Sequence, residues 1–266
     1  MYTVPSFSRL GHLYSCLLAD AHARYNKLLH PRNNKIIFST GTDEHGLKVQ
    51  QAAQTAGLQP SKFCDGISEK FRELFDKSDI EYSHYIRTSS ELHKDTVTNV
   101  WNRLEHNGDL YKSEYQGWYS VQEEAFVPEN SIENKDGQIV HSDTGQRLEW
   151  AKEENWMFKL TKYREQLSQW HSDQVPVTPG HHRSQVLRWI NEELVDLSVS
   201  RPASRLFWGV PVPGDQDQTI YVWIDALVNY LTIANYPNMS VWPPTVQVLN
   251  ASPEYLMYCV LPSSFF

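Results

Sequence analysis

The spacing of apolar positions predicts a helix that begins at Gly11, because apolar residues recur from there at three- and four-residue steps. The β-branched and aromatic run KIIFS, residues 35–39, is typical of a buried parallel strand. Gly41 to Gly46 then form the loop at the carboxyl end of that strand. A second helix is expected over residues 45–56, with Gly57 ending it.

Two more helices are predicted over residues 60–77 and 89–107. The second starts at Thr88-x-x-Glu91, which has the pattern of a capping box, and ends at Gly108. Repetition of strand and helix indicates an α/β fold with a parallel sheet.

The pattern changes between residues 111 and 156, where aromatic and small polar residues alternate as in β-strands. Asp136-Gly137 lies between two short strand-like runs and predicts a hairpin turn. This segment is therefore interpreted as a β-rich insertion in the α/β domain. Helical patterns return over residues 156–170 and 184–197.

The last predicted elements are a strand over residues 219–223 and a helix that Asp225 opens. A helix starting near Ile224 places Ala226 and Tyr230 on one side.

Composition agrees with a folded globular chain: of 266 residues, 40% are hydrophobic and 21% are charged. A formal charge of −8 argues against a uniformly basic nucleic-acid surface but permits a local basic face. Three dispersed cysteines without a CxxC pair suit a reducing compartment and predict no zinc site. No apolar run is long enough to span a membrane, and no transit or secretory signal is visible.

Two short motifs carry residues suited to nucleotide chemistry. In Arg9-Leu10-Gly11-His12, a helix N-terminus, a glycine and an imidazole offer donors to the phosphates of ATP. The alternative is an ordinary capping or surface histidine. The second motif, GTDEHG (residues 41–46), stands at a strand end, where open α/β sheets bind ligands. Its alternative is a helix N-cap formed by Thr42 or Asp43.

The segments RLGHLYSCLLADAHARY and FSTGTDEHGLKVQQAA together resemble the class I methionyl-tRNA synthetases. That family carries a His-Ile-Gly-His signature and then a GTDEHG loop. Later segments agree in the same order: QGWYS, LEWAKEENWMFKL, LRWINEELVDLSVSR, WGVPVPGD and TIYVWIDALVNYL. The resemblance runs from about Leu10 to Pro243 and is greater to the mitochondrial branch than to the cytosolic or zinc-bearing bacterial branches.

The resemblance implies a Rossmann-type parallel sheet interrupted by a connective subdomain. It divides the chain into the first half of a nucleotide-binding domain (1–110), the insertion (111–170) and the second half (171–266). The implied activity is that of a methionine-tRNA ligase, which forms methionyl-adenylate from ATP and methionine and then charges tRNA-Met. ATP and Mg²⁺ are the implied cofactors, the mitochondrial matrix is the implied location, and a monomer without membrane attachment is expected.

The resemblance also assigns roles to individual positions. Gly11 and His12 match the end of the first signature and are expected to contact ATP. Asp43 matches the acidic residue of the second loop, and Arg201 matches the arginine that partners it, so His12, Asp43 and Arg201 are the expected catalytic residues. From the residues alone, Arg201 before a proline reads as a surface arginine.

The remaining assignments complete both ligand sites. Gly41 and His45 join the ATP-binding set. Trp223, Ala226 and Tyr230 are expected to line the methionine pocket, where aromatic walls suit a thioether; the alternative is an ordinary core helix. QGWYSVQEEAF has no cysteine where zinc-bearing relatives carry pairs, so no metal site is predicted.

Three departures from the family pattern predict reduced activity. Arg9 replaces the first histidine of the signature, MYTVPSFS does not resemble the first strand, and the chain from Ser252 onward lacks the expected pocket segment and lysine loop. The competing hypotheses are a non-catalytic truncated product, a weak nucleotide-binding module, or another α/β nucleotidyltransferase or hydrolase.

Overall fold

The computed structural model describes residues 2–3, 10–31, 36–120, 125–127, 131–135, 137–173 and 181–238. Within these ranges, every helix is too short or too polar to cross a bilayer. The predictions at Arg9, Asp136 and Ser252 lie outside the described residues.

A parallel three-stranded sheet forms the first part of the fold. Its strands have the order β1-β2-β3 and comprise Tyr2–Thr3 (β1), Ser39–Asp43 (β2) and His84–Arg87 (β3). Four helices surround these strands in sequence: Leu10–Leu29 (α1), Leu47–Thr55 (α2), Pro60–Lys77 (α3) and Glu91–His106 (α4). The predicted α/β fold with a parallel sheet is confirmed.

A short first strand is present although MYTVPSFS does not resemble the first strand of the family. Tyr2 and Thr3 pair in parallel with Thr42 and Asp43 on β2. A two-residue strand, Tyr2–Thr3, therefore lies beside the GTDEHG motif.

The strand predicted at residues 35–39 is displaced to Ser39–Asp43. Phe38 precedes the ladder: its amide donates to Ser83 Oγ at 3.0 Å, and its carbonyl accepts from the Ser83 amide at 2.8 Å. Close strand approach sets this register, because a Cβ on Gly41 would lie 1.9 Å from the Ile86 carbonyl oxygen. Gly41 therefore belongs to the strand and not to the loop after it.

Helix α3 matches its predicted limits, while α2 and α4 are shorter than predicted. The capping box at Thr88 was wrong. Ser90 is the N-cap of α4, and Thr88 Oγ1 instead accepts a hydrogen bond from the Glu44 amide at 2.8 Å. A tertiary contact has taken the hydroxyl that the sequence pattern assigned to the helix.

The β-rich pattern predicted between residues 111 and 156 is observed as an antiparallel sheet and a hairpin, and the sheet gains one more strand from outside that segment. The strands within or beside the segment are Leu110–Ser120 (β4), Ala125–Phe126 (β5), Ile132–Lys135 (β6), Gln138–His141 (β7) and Glu149–Phe158 (β8), and the additional strand is Leu197–Ser198 (β9). The sheet order is β5-β4-β8-β9, and β6 pairs with β7 across a turn in which Gly137 has a φ of 82°. The boundaries at residues 111 and 170 stay predictions.

The helix predicted from residue 156 begins later, because β8 continues to Phe158 and pairs with β4. A 3₁₀ turn over Leu160–Tyr163 leads into Arg164–Asp173 (α5). The next helix, His181–Arg188 (α6), passes into a π-helical turn over Trp189–Glu193.

A third sheet leads into the last helix. Its strands, in the order β10-β12-β11, are Ser200–Pro202 (β10), Pro211–Val212 (β11) and Asp215–Ile220 (β12). Helix α7 spans Val222–Ile233, so both the strand predicted to Trp223 and the helix start predicted at Asp225 were wrong. Asp225 lies inside the first turn of α7 and does not cap it. Its carboxylate instead contacts His45 and His93, which belong to other elements.

Two hydrophobic clusters hold these elements. One contains Phe71 and Phe75 of α3 with residues from α1 and α2. The other contains Trp101 of α4, Phe158 of β8 and Leu231 of α7. Packing of α4 on α7 brings the end of the parallel sheet next to α7.

Candidate active site

The GTDEHG motif crosses from the end of β2 into the turn before α2. Asp43, the last residue of the strand, is half-buried, whereas Glu44 and His45 are buried. The N-cap of α2 is Gly46 and makes no side-chain cap. The alternative that Thr42 or Asp43 merely caps this helix is therefore wrong.

Glu44 is a fully buried carboxylate that sequence reasoning left without a role. Arg87 grips it with two hydrogen bonds, from Nε to Oε1 at 2.7 Å and from Nη2 to Oε2 at 3.0 Å. Ser89 Oγ donates to Oε2, and Thr42 Oγ1 donates to Oε1 at 2.6 Å. Burial alone would lower the pKa of Arg87, but the bonds to Glu44 outweigh it and raise that pKa above its usual value.

The backbone of the motif is also held in place. Trp208 Nε1 donates to the Glu44 carbonyl at 2.5 Å, and the Gly46 amide donates to the Trp208 carbonyl at 3.1 Å. The thiol of Cys64 lies 3.4 Å from the same Glu44 carbonyl, and burial raises the pKa of that thiol to about 12. The motif is thus preorganised on both sides, as a ligand-binding turn requires.

His45 reaches across the molecule to α7. Its Nδ1 lies 2.7 Å from Asp225 Oδ2, and His93 Nε2 of α4 lies 3.0 Å from Asp225 Oδ1. All three side chains are buried. Burial opposes ionisation of Asp225, but the two imidazoles outweigh it and lower its pKa to about 2.

Helix α7 presents two different faces. Asp225, Val228 and Thr232 are buried against α4. The three predicted methionine-binding residues, Trp223, Ala226 and Tyr230, share the adjacent face and are each half-buried. The structure thus brings these three residues together on a partly accessible side of the helix that carries the His45 partner.

Arg201 lies on β10 and is 4% exposed, so its interpretation as a surface arginine is wrong. Its Nη1 donates to Ser198 Oγ and to the Ser200 carbonyl, both at 2.7 Å. The guanidinium carbon lies 3.9 Å from the centre of the Tyr221 ring, and that ring stacks on Trp223 with centroids 6.3 Å apart. Arg201 is thereby linked to the predicted methionine face, while its partnership with Asp43 stays a prediction.

Gly11 and His12 lie in the first turn of α1, which begins at Leu10. Gly11 is exposed, and its carbonyl accepts from Ser15 Oγ at 2.9 Å. His12 is half-buried with its ring 5.5 Å from that of Phe71. Their location at a helix start is as predicted, and their contact with ATP stays a prediction.

Sequence reasoning missed the buried polar partners, namely Glu44, Arg87, His93 and Tyr221, and gave Asp225 only a capping role. One signal was available: Asp225 is a single carboxylate within the apolar stretch YVWIDALVNYL, and such a charge needs partners when buried. His93 likewise shares the helix face of Val97, Val100 and Leu104, which is otherwise largely apolar.

Among the described residues, no group of three or more His, Cys, Asp or Glu side chains is placed to hold a metal ion. The GTDEHG region instead offers Asp43 as a half-buried carboxylate. Such a donor set fits Mg²⁺ that is held mainly by phosphate oxygens.

Comparison with known proteins identifies the family of the chain. A model of the family described as tRNA synthetases class I (M) matches residues 2–243. The chain is 47% identical over 262 residues to the mitochondrial methionine–tRNA ligase of Bos taurus and 46% identical over 262 residues to that of Homo sapiens. Each alignment covers 93% of this chain and 44% of the relative, so the chain spans less than half the length of these relatives.

Solved structures give the same result. The methionyl-tRNA synthetase of Mycobacterium tuberculosis bound by methionyl-adenylate superposes with a TM-score of 0.83 at 34% identity. The match covers 91% of this chain and 48% of that protein. Its apo form superposes less closely, with a TM-score of 0.71 at 31% identity. By sequence and by fold, the chain belongs to the class I tRNA synthetases of the methionine type.

Proposed function

We propose that this chain carries the methionine- and ATP-binding part of a methionine-tRNA ligase. The observation that carries the proposal is the junction of the GTDEHG motif with α7 through His45 and Asp225. This junction connects the strand-end GTDEHG motif to helix α7, whose half-buried face carries Trp223 and Tyr230. A half-buried aromatic face of this kind suits the flexible thioether of methionine.

The reaction is the attack of a methionine carboxylate oxygen on the α-phosphorus of ATP. A new bond forms between the methionine oxygen and the α-phosphorus. The bond between the α-phosphorus and the oxygen that bridges to the β-phosphate breaks, and pyrophosphate leaves with the electron pair of that bond. Positioning and charge stabilisation dominate such chemistry. His12 at the start of α1 and the Arg201 guanidinium are the proposed hydrogen-bond donors to the negative charge that develops on the phosphate oxygens in the transition state.

Asp43 is the proposed acidic residue at the nucleotide. It stands at the carboxyl end of β2, where ligands of open α/β sheets bind. Charge neutralisation on the phosphates is what Mg²⁺ supplies when it is bound with ATP. Gly11, Gly41 and His45 complete the proposed ATP site, in which Gly41 acts indirectly by allowing β2 to approach β3 closely.

The second step, transfer of methionine to tRNA-Met, and a location in the mitochondrial matrix are proposed for the whole protein. The support is identity near 46% to ligases named mitochondrial. A monomer is the proposed state.

The test is methionine-dependent exchange of pyrophosphate into ATP by the purified chain. Asp43→Ala and Arg201→Ala are each expected to lower the exchange rate about 100-fold or more, since preorganised charge is removed from the reacting phosphates. The exposed residues Asp95 and Arg103 supply matched controls, and Asp95→Ala and Arg103→Ala are expected to retain the rate.

Thermal stabilisation by methionine, with leucine as the comparison, is measured on the same samples. Stabilisation by methionine without exchange would make this chain a binding module that does not catalyse the first step. A folded chain that methionine does not stabilise would overturn the proposal.

A further inference from the structure

His93 is a buried histidine that lies outside both proposed ligand sites. It is 0% exposed on α4, and its Nε2 is 3.0 Å from Asp225 Oδ1 and 3.1 Å from the Asp225 carbonyl oxygen. Its other ring nitrogen, Nδ1, lies 2.9 Å from Thr232 Oγ1. Both nitrogens of His93 are thus held by α7, one turn of helix on either side of Val228.

The Asp225 carboxylate fixes the protonation of the two ring nitrogens that face it. An ionised carboxylate only accepts hydrogen bonds, so His45 Nδ1 and His93 Nε2 must each carry a proton. His45 thereby donates from Nδ1, which fixes the orientation of its ring and leaves Nε2 as the ring nitrogen that does not face Asp225. A carboxylate that orients an imidazole in this way is a common means of preparing a histidine for function.

His93 controls this arrangement because it occupies the second carboxylate oxygen. Without its N–H, Asp225 Oδ1 would be buried without that donor, and the carboxylate could turn away from His45 to find another. Arg87 acts differently, since it holds Glu44 and not Asp225. The ring orientation of His45 therefore depends on a residue from a separate helix.

We propose that His93 is a positioning residue that acts through Asp225 to set the tautomer and orientation of His45 in the proposed ATP site. This inference rests on the proposed function, because it assigns His45 to the ATP side of the site. The proposed methionine-binding residues lie on the adjacent face of α7, which carries Trp223 and Ala226 and does not include Asp225. Loss of His93 should therefore weaken nucleotide binding more than methionine binding.

The experiment measures dissociation constants for methionine and for a non-hydrolysable methionyl-adenylate analogue by calorimetry. His93→Leu is expected to weaken the analogue about tenfold or more, as for loss of a hydrogen bond to a charged group. Methionine affinity is expected to change less than about threefold. Equal losses for both ligands would indicate a merely structural role and overturn the proposal.

Two further variants separate positioning from folding. His93→Gln retains an N–H near the position of the imidazole Nε2 and is expected to restore analogue binding to within about threefold of the original chain. His171→Leu replaces another buried histidine, in α5, and is expected to leave both affinities unchanged. Failure of the glutamine variant to rescue a folded protein would count against the proposal.

A spectroscopic readout reports the tautomer directly. Nitrogen-15 spectra of histidine-labelled protein, with the His45 signals assigned from a His45→Gln variant, are expected to show a protonated Nδ1 in the original chain. In His93→Leu, and in Asp225→Asn if the leucine variant does not fold, the signal is expected to move toward a mixture of tautomers. An unchanged His45 signal in the folded variant would overturn the proposal. If the original chain binds neither ligand, the proposed function fails instead, and the two failures are distinguished.

Discussion

His45 Nδ1 lies 2.7 Å from Asp225 Oδ2, although the two residues are 180 positions apart in the sequence. The contact joins the turn after β2 to the first turn of α7 and spans the whole β-rich insertion. Because both side chains are buried, the pair orders two segments that each carry proposed ligand-binding residues. Its energetics can be tested without any ligand.

Asp225→Asn is expected to destabilise the protein by about 3 kcal/mol near neutral pH, because two imidazole N–H groups lose a charged acceptor. The folded-state pKa of about 2 is below the ordinary value of 3.8, so the ionised form is the one that folding favours. The stabilisation that the ionised Asp225 carboxylate contributes is present above pH 4 and is lost as the pH falls from 4 toward 2.

Urea unfolding at pH 7, 5, 4 and 3 measures the effect. The stability difference between the original chain and Asp225→Asn should be nearly constant down to about pH 4 and should be smaller by about 1 kcal/mol at pH 3. Asp95→Asn, at an exposed site, is the control. A difference that did not change below pH 4 would contradict an ionised, histidine-bound Asp225.

Gly41→Ala is expected to destabilise the protein by about 3 kcal/mol or more, because the new Cβ would lie 1.9 Å from the Ile86 carbonyl oxygen and β2 would have to move away from β3. Gly66→Ala is the matched control. Gly66 lies within α3 with open space around its Cβ position, so alanine there is expected to stabilise by about 0.5–1 kcal/mol. Denaturant midpoints should move in opposite directions for the two variants.

Arg87→Met is expected to cost about 3 kcal/mol, because it leaves the fully buried Glu44 carboxylate without its two guanidinium hydrogen bonds. Adding Glu44→Gln should recover part of that loss, giving a clear coupling energy in a double-mutant cycle. Lys77→Met removes an exposed pair with Glu73 at 3.8 Å and should change stability by less than about 0.5 kcal/mol. Additive effects of the Arg87 and Glu44 changes would contradict a coupled pair.

Tyr221→Leu is expected to cost about 1–2 kcal/mol beyond its loss of buried area, because the Arg201 guanidinium loses the ring 3.9 Å away. Tyr221→Phe keeps the ring face and should retain most of that stability. Methionine affinity should also fall in the leucine variant, since the Tyr221 ring supports Trp223. Calorimetric unfolding and methionine titration of both variants test this prediction. A loss of stability in Tyr221→Phe equal to that in Tyr221→Leu would show that the hydroxyl, and not the ring face, provides the stabilisation.

His171 is a buried histidine that should make the protein sensitive to mild acid. Within the described part of the chain neither ring nitrogen has a hydrogen-bond partner, and burial together with the nearby Arg183 lowers its pKa from 6.5 to about 4. As the pH falls, His171 therefore binds a proton at a higher pH in the unfolded chain than in the folded chain. The free energy of unfolding falls as the pH drops from about 6.5 to 4, by about 3 kcal/mol in all.

His171→Leu should remove this dependence without loss at pH 7, since leucine needs no hydrogen-bond partner. The stability advantage of the variant, measured by urea unfolding, should grow between pH 7 and pH 4. An exposed-site control, His22→Gln, should show no such growth. A constant difference across that range would show that folding leaves the pKa of His171 unchanged and would contradict the prediction.

The elements that follow from local rules were predicted well. Helix α3 occupies residues 60–77 as its apolar spacing and its proline at the first position indicate, and Gly137 forms the hairpin turn. Errors arose where a tertiary contact overrides a local preference. The strand at Ser39–Asp43 is placed by its fit against β3, and the Thr88 hydroxyl bonds Glu44 instead of capping α4.

The sequence by itself determined the periodicity of its helices and strands, the α/β class, the family motifs and the positions where catalytic residue types stand. Only the tertiary structure decided that Glu44 pairs with Arg87, and that Asp225 is shared by His45 and His93. These choices depend on distances between segments far apart in the chain. They also depend on desolvation, which appears only when the chain is folded and which makes a buried carboxylate require partners that an exposed one does not need.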